Sequence, residues 1–126
     1  MKNKWLDHTV MYGFKLTLCT SEKMYWRQHR KLSKRWPAPH WVSEGHAAMH
    51  KYDQKHGSPL IVVCIDDKTR RAVEVAGLLA HEAVHVKQQL MRYVGEAEPS
   101  DEFEAYVVQN ITQNLLDEYA RQKKRR

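Results

Sequence analysis

Apolar residues alternate with polar ones near the start of the chain. Between Val10 and Cys19, the side chains of Tyr12, Phe14, Leu16 and Leu18 occupy every second position. Successive side chains of a strand point to opposite faces of a sheet, so this spacing predicts a half-buried strand. A polar pair, Thr20 and Ser21, follows directly and marks its end.

Two further strands are predicted in the middle of the chain. Leu60 to Ile65 is a continuous apolar run rich in β-branched residues, which is typical of a central strand. Ala47 to Tyr52 predicts a second, less apolar strand, and Asp53 to Gly57 predicts the turn between the two. The pattern therefore indicates about three strands.

The first helix is predicted from its boundary residues. Thr20 or Ser21 can cap a helix that continues to about Trp36, where Pro37 and Pro39 stop it. Its apolar residues are sparse, so we expect it to pack on one side and to expose its basic residues to water.

Two longer helices are predicted in the second half. One extends from about Thr69 to Tyr93 and ends at Gly95; it is apolar nearly all round from Ala72 to Val86, which predicts a buried middle. The other begins near Pro99, Ser100 and Asp101 and continues to about Arg121. Its core stripe comprises Phe103, Val107, Ile111 and Leu115. Together with the strands, these helices predict an α+β fold.

Composition narrows the class of protein. The chain has 126 residues, of which 42% are apolar and 29% charged, figures that fit one soluble globular domain over residues 1–126 and argue against disorder. No apolar run is long enough to span a bilayer, and we expect no membrane contact. Cys19 and Cys64 lie in apolar runs, so we expect buried free thiols and no disulfide.

The net charge of +6 is unevenly distributed. Basic residues are concentrated between Lys23 and Arg35 and in the segment 118–126, which we expect to be a frayed tail. Such an excess permits weak, salt-sensitive, non-specific contact with nucleic acid.

The candidate chemistry is the segment His81-Glu82-Ala83-Val84-His85 inside the long helix. Histidines four residues apart lie one turn apart on the same face, so their imidazoles can converge on one metal ion. Neutral imidazole suits Zn²⁺. Glu82 lies about 100° round the helix, where it is poorly placed as a ligand but can accept a proton from water.

A catalytic zinc needs a third protein ligand. Asp101-Glu102-Phe103-Glu104 opens the next helix, and Glu102 is the preferred candidate. Glu104 is the alternative. It is less favoured because, with Asp101 as N-cap, it would have a structural role in a capping box. Gln89, one turn beyond His85, is placed to orient a ligand. His46 and His50 are expected to be surface residues.

The HEAVH helix, followed by a short linker and a helix bearing Glu-Phe-Glu-Ala-Tyr, resembles the gluzincin metallopeptidases. It is more closely similar to the small minigluzincin-like domains, which are often phage-encoded. In that group the third zinc ligand is a Glu three residues before a small residue, which corresponds to Glu102 and Ala105. Many gluzincins have an Asp four residues after that Glu, where this chain has Tyr106.

The resemblance implies a small, mainly antiparallel sheet packed with an active-site helix and a ligand helix. It implies one Zn²⁺ held by His81, His85 and Glu102, with Glu82 as general base in the hydrolysis of peptides or proteins. It also implies the cytoplasm of a bacterium or of a phage-infected host cell. The alternative is a catalytically silent zinc-binding or partner-binding module with the metalloprotease fold.

Overall fold

The computed structural model describes residues 3–7, 14–34 and 39–124. These residues form one mixed sheet of four strands, with one helix on one face and two helices on the other. In chain order the elements are β1 (Leu6–Asp7), β2 (Lys15–Cys19), α1 (Glu22–Leu32), β3 (Ala47–Tyr52), β4 (Leu60–Ile65), α2 (Ala72–Val94) and α3 (Asp101–Lys124).

The strands lie in the order β1-β2-β4-β3. β2 and β4 are parallel, with Leu16 opposite Ile61, whereas β1–β2 and β3–β4 are antiparallel. The predicted α+β class and mainly antiparallel sheet are therefore confirmed, and the apolar β4 lies in the interior of the sheet as expected. The two-residue β1 is an addition to the predicted strands. The predicted strand residues 10–13 lie outside the described part. The prediction that this strand is half-buried is wrong for β2, because the main core covers one of its faces and α1 covers the other, and Leu16 to Cys19 are all buried.

The main core lies between the sheet and the α2–α3 pair. Leu16, Leu18 and Val63 point into it from β2 and β4, because alternate residues of a strand face the same side. Leu79 of α2 and Ile111 of α3 meet them, and all five side chains are fully buried. The predicted stripe on α3 is confirmed as core: Val107, Ile111 and Leu115 are buried and Phe103 packs against them.

The opposite face of the sheet is covered by α1. Met24 and Tyr25 of α1 pack on Cys19, Val62 and Cys64. The two cysteines lie opposite each other in the parallel register of β2 and β4. Both are buried free thiols, as the sequence predicts.

The first helix and its cap agree with the sequence in part. Ser21 is the N-cap of α1, and its hydroxyl accepts a hydrogen bond from the Met24 N–H. The helix ends at Leu32. The predicted continuation to about Trp36 is wrong, because Ser33 is the C-cap and has an extended backbone with φ −140° and ψ 140°.

The expectation of a frayed tail over 118–126 is wrong as far as the structure describes it. α3 continues to Lys124, and Glu118 and Gln122 are buried. The Gln122 amide donates to the Leu18 carbonyl oxygen at 2.9 Å, which attaches this end of α3 to β2. Arg125 and Arg126 are outside the described residues.

Within the described ranges, none of the helices is both long and apolar enough to cross a membrane.

Candidate functional site

The HExxH segment lies on the part of α2 that is only half covered by the rest of the molecule. His81 and His85 are exposed, and their ring centroids are 4.9 Å apart with the rings nearly perpendicular. The prediction that the middle of α2 is buried is therefore wrong. α2 buries one face against the sheet and α3, while Val84 is 37% exposed beside the histidines.

The His85 ring is oriented by a hydrogen bond within the helix. Its Nδ1 lies 3.0 Å from the Gln88 amide oxygen. That oxygen only accepts, so Nδ1 donates and the lone pair remains on Nε2. Metal-binding histidines commonly have their second ring nitrogen held in this way. The sequence pointed to Gln89 for this role, but the residue that contacts His85 is Gln88.

Glu82 lies beside the histidines on the buried side of the helix, with only 5% of its surface exposed. Burial raises the pKa of its carboxyl above the ordinary value, although the nearby imidazoles of His81 and His85 act in the opposite direction. A carboxylate with a raised pKa is a stronger base than an exposed one. Its role as general base stays a prediction from the motif.

A surface hollow of about 470 Å³ opens next to His81 and Glu82. We call it the α2–β3 hollow, because its walls are His46 and Ala47 at the start of β3, Arg70, and Glu74, Gly77, Leu78, His81 and Glu82 of α2. β3 is the last strand of the sheet, so among the described residues its outer edge pairs with no other strand. The hollow is therefore bounded by a helix with candidate catalytic groups and by a strand edge.

His46 is the residue of this hollow that sequence reasoning missed. It was expected on the surface, and it is exposed, but it also lines the wall opposite His81. Its Nδ1 donates to the Glu44 carbonyl oxygen at 2.9 Å, and its own carbonyl oxygen accepts from the Asp66 N–H at 2.9 Å. The sequence held no signal for this placement, since it depends on β3 pairing at the sheet edge.

A glycine turn fixes the position of His46. Gly45 has φ 74°, a left-handed conformation that favours glycine. A Cβ at Gly45 would lie 2.9 Å from the Nε of Arg70, which donates a hydrogen bond to the Gly45 carbonyl oxygen. This close approach joins the start of β3 to the segment that precedes α2.

The two acids proposed as third ligand differ in their surroundings. Glu102 is exposed, whereas Glu104 is half-buried and forms an ion pair with Lys87 of α2, with 2.9 Å between Nζ and Oε2. The capping-box hypothesis for Glu104 is wrong. The hydroxyl of Ser100 caps the helix by accepting from the Phe103 N–H, which makes Asp101 the first helical residue.

The residues present fit a metal ion in part. His81 and His85 have the spacing, exposure and, for His85, the fixed ring orientation of a ligand pair. In residues 3–7, 14–34 and 39–124, however, no group of three or more His, Cys, Asp and Glu side chains is placed to hold a metal. The structure thus brings together the two imidazoles and Glu82, and it does not bring Glu102 or Glu104 to them.

Comparisons of the chain with models of protein families, with curated proteins and with solved structures found no match. The resemblance to the gluzincins therefore stays a prediction from the sequence motif.

Proposed function

We propose that this protein is a zinc-dependent peptidase whose active site is the α2–β3 hollow. One observation carries the proposal. Two exposed imidazoles, with centroids 4.9 Å apart, lie beside the buried carboxylate of Glu82, and His81 and Glu82 line an open hollow. Burying Glu82 costs free energy that ordinary packing does not require, and perturbed titratable groups of this kind cluster at functional sites.

His81 and His85 would hold one Zn²⁺, and α3 would supply the third ligand. Glu102 is the candidate that the resemblance favours. Glu104 is the other candidate, but its partner Lys87 lies two residues beyond His85 and therefore on another side of α2, so Glu104 would have to leave this ion pair to reach the imidazoles. When bound, zinc lowers the pKa of a coordinated water and polarises a substrate carbonyl.

The protein's own residues would carry the proton transfers. Glu82 would accept a proton from the attacking water and deliver it to the leaving amine. Gln88 would keep the His85 ring fixed, so that Nε2 stays directed away from the helix backbone.

The strand edge supports a peptide as substrate. An extended peptide can add to a free sheet edge through main-chain hydrogen bonds, and β3 presents such an edge next to His81 and Glu82. Gly77 adds room on the helical side, because no atom lies within 4 Å of the position that its Cβ would take. A backbone can therefore approach α2 closely at this point.

One observation favours the alternative, a zinc-binding or partner-binding module without catalysis. Glu104 is already paired with Lys87 and Glu102 is exposed, so the third ligand is not in place beside the imidazoles. A site that holds metal weakly, or only with a partner chain, would behave in this way.

Metal content tests the ligand set. Wild type, H81A, E102A and E104A are reconstituted with zinc, dialysed and measured by elemental analysis. We expect about one zinc per chain in wild type, loss in H81A, and loss in one of the two acid variants. Absence of bound zinc in the reconstituted wild type would contradict the proposal, and zinc retained in both acid variants would remove α3 from the site.

Substitution of the base separates the two functions. We predict that E82Q lowers peptide hydrolysis by about 100-fold or more and keeps its zinc, because the amide cannot accept the proton. E98Q is the control, since Glu98 is an exposed acid outside the hollow, and it should change the rate by less than about threefold. Wild type that binds zinc but cleaves nothing in a peptide library supports the silent module.

A further inference from the structure

α1 presents a stripe of basic residues on the side that faces away from the sheet. Lys23, Arg27 and Arg30 recur at intervals of four and three residues, which places them in one row along the helix. Lys31 lies next to Arg27 on the same surface, and Lys34 follows the end of the helix. Glu22 is the one acid in α1.

The inner side of α1 packs against the sheet. Met24, Tyr25, Gln28 and His29 are buried against the sheet. The outer charges therefore do not contribute to the core. Among the ion pairs of the described residues, none includes Lys23, Lys31 or Lys34. α1 has four Lys and Arg residues, Lys23, Arg27, Arg30 and Lys31, against the one acid Glu22, so its outer side has a net positive charge.

An aromatic ring lies within the stripe. A second surface hollow, of about 450 Å³, is lined by Lys23, Trp26, Arg27 and Arg30, together with Glu22. Trp26 is half-buried and packs against the core cluster beneath α1, which holds the ring in place. We call this feature the α1 hollow.

We propose that the α1 hollow binds single-stranded nucleic acid, with the basic stripe on the phosphates and Trp26 against a base. Grooves that bind single strands combine positive charge along the backbone with aromatic rings on which bases stack, and the α1 hollow has both. An anionic membrane fits less well. A helix that lies on a bilayer inserts its apolar face, and the apolar face of α1 is covered by the sheet.

The proposal is tested with a fluorescent dT oligomer of about 20 nucleotides, whose anisotropy is followed with full-length protein and chelator. The chelator removes any contribution of the α2–β3 site. In salt of about 50 mM, K23E/R30E should weaken binding about tenfold or more and flatten the dependence of affinity on salt. W26L should weaken binding about fivefold.

R92E is the control for charge. Arg92 is exposed on α2, on the opposite face of the sheet, and each single variant K23E or R30E changes the net charge by the same amount as R92E. We expect R92E to lower the affinity by less than about twofold and either single variant by about threefold. Thermal melting followed by circular dichroism verifies that each variant is folded. If K23E/R30E is not folded, K23Q/R30Q is measured in its place.

Three results would overturn the proposal. The first is an unchanged affinity for the oligomer in either K23E/R30E or W26L. The second is a loss in R92E as large as that in K23E or R30E. The third is tighter binding to a duplex of equal length, or to vesicles containing phosphatidylglycerol, than to the oligomer.

Discussion

At its first turn, α3 touches α2 through the ion pair of Lys87 with Glu104, and Asp101 and Glu102 are exposed. At its last turns, Glu118 and Gln122 are buried, and Gln122 is hydrogen-bonded to Thr20 and Leu18 near the end of β2. The same helix is thus held by buried polar contacts with distant residues at one end, and by the packing of Phe103 and a partly exposed ion pair at the other.

This difference separates stability from function in α3. Buried polar groups that are satisfied by distant partners fix the C-terminal end in one position. The N-terminal end, which the proposed metal site needs for its third ligand, has fewer restraints. Phe103, between the two acids, packs against the core, so bringing Glu102 or Glu104 to the imidazoles would require the first turn of α3 to leave this packing.

The largest effect is expected at the buried end. Gln122 donates to the Leu18 carbonyl oxygen and to Glu118, both at 2.9 Å, and accepts from the Thr20 hydroxyl at 2.6 Å. We predict that Q122A lowers the free energy of unfolding by about 2–3 kcal/mol, because these groups stay buried after their partner is removed. Urea denaturation measures it, with Q113A, an exposed position of α3, as control. Equal midpoints for the two variants would contradict the prediction.

A smaller effect is expected from Asp67, which accepts hydrogen bonds from Lys123 and Tyr119 of the same end. Burial raises the pKa of its carboxyl, but the bonds from Lys123 and Tyr119 outweigh burial and the pKa lies below its usual value. A lowered pKa stabilises the fold above the unfolded-state value and loses that contribution as pH falls through the folded-state pKa.

We therefore predict that D67N is less stable than wild type by about 1 kcal/mol at neutral pH. The gap should close as the pH falls below about 4, the usual range of an Asp carboxyl. Thermal unfolding of both proteins across this range measures it. A gap that persists at low pH would mean that the carboxylate charge is not what holds Lys123.

The smallest change in stability is expected at the exposed end. K87M removes an ion pair whose side chains are 14% and 44% exposed, and it should alter stability by less than about 1 kcal/mol. If Glu104 is the third ligand, its release should tighten zinc binding about threefold, since Lys87 no longer competes for it. R92M removes a charge from the same helix without freeing an acid. Equal zinc affinity in K87M and R92M would favour Glu102.

Most of the fold could be predicted from local patterns. Alternation identified β2, the β-branched run identified β4 as an interior strand, and Gly95 ended α2 with φ 78° as its position suggested. These features depend on neighbours within a few residues, which the sequence displays directly. Ser21 as the cap of α1 belongs to the same class.

The predictions failed where contacts with residues far away in the sequence determine the position of a side chain. Gln122 looked like part of a solvated tail, because its acceptor on Leu18 is 104 residues away. His50 looked like a surface residue, but it is half-buried and its ring stacks on Tyr25 of α1, with 5.1 Å between the ring centroids. Ser100 and Asp101 are both good caps, and a shift of one residue between them moved Glu104 out of its predicted capping role.

The thiols of Cys19 and Cys64 can report when the central strands of the sheet become exposed to solvent. They are the two cysteines of the chain, they face each other across the parallel pair of β2 and β4, and neither is accessible to solvent. A thiol reagent can reach them only when α1 lifts away or the two strands separate. The rate at which the native protein is alkylated therefore measures how often its central strands become exposed.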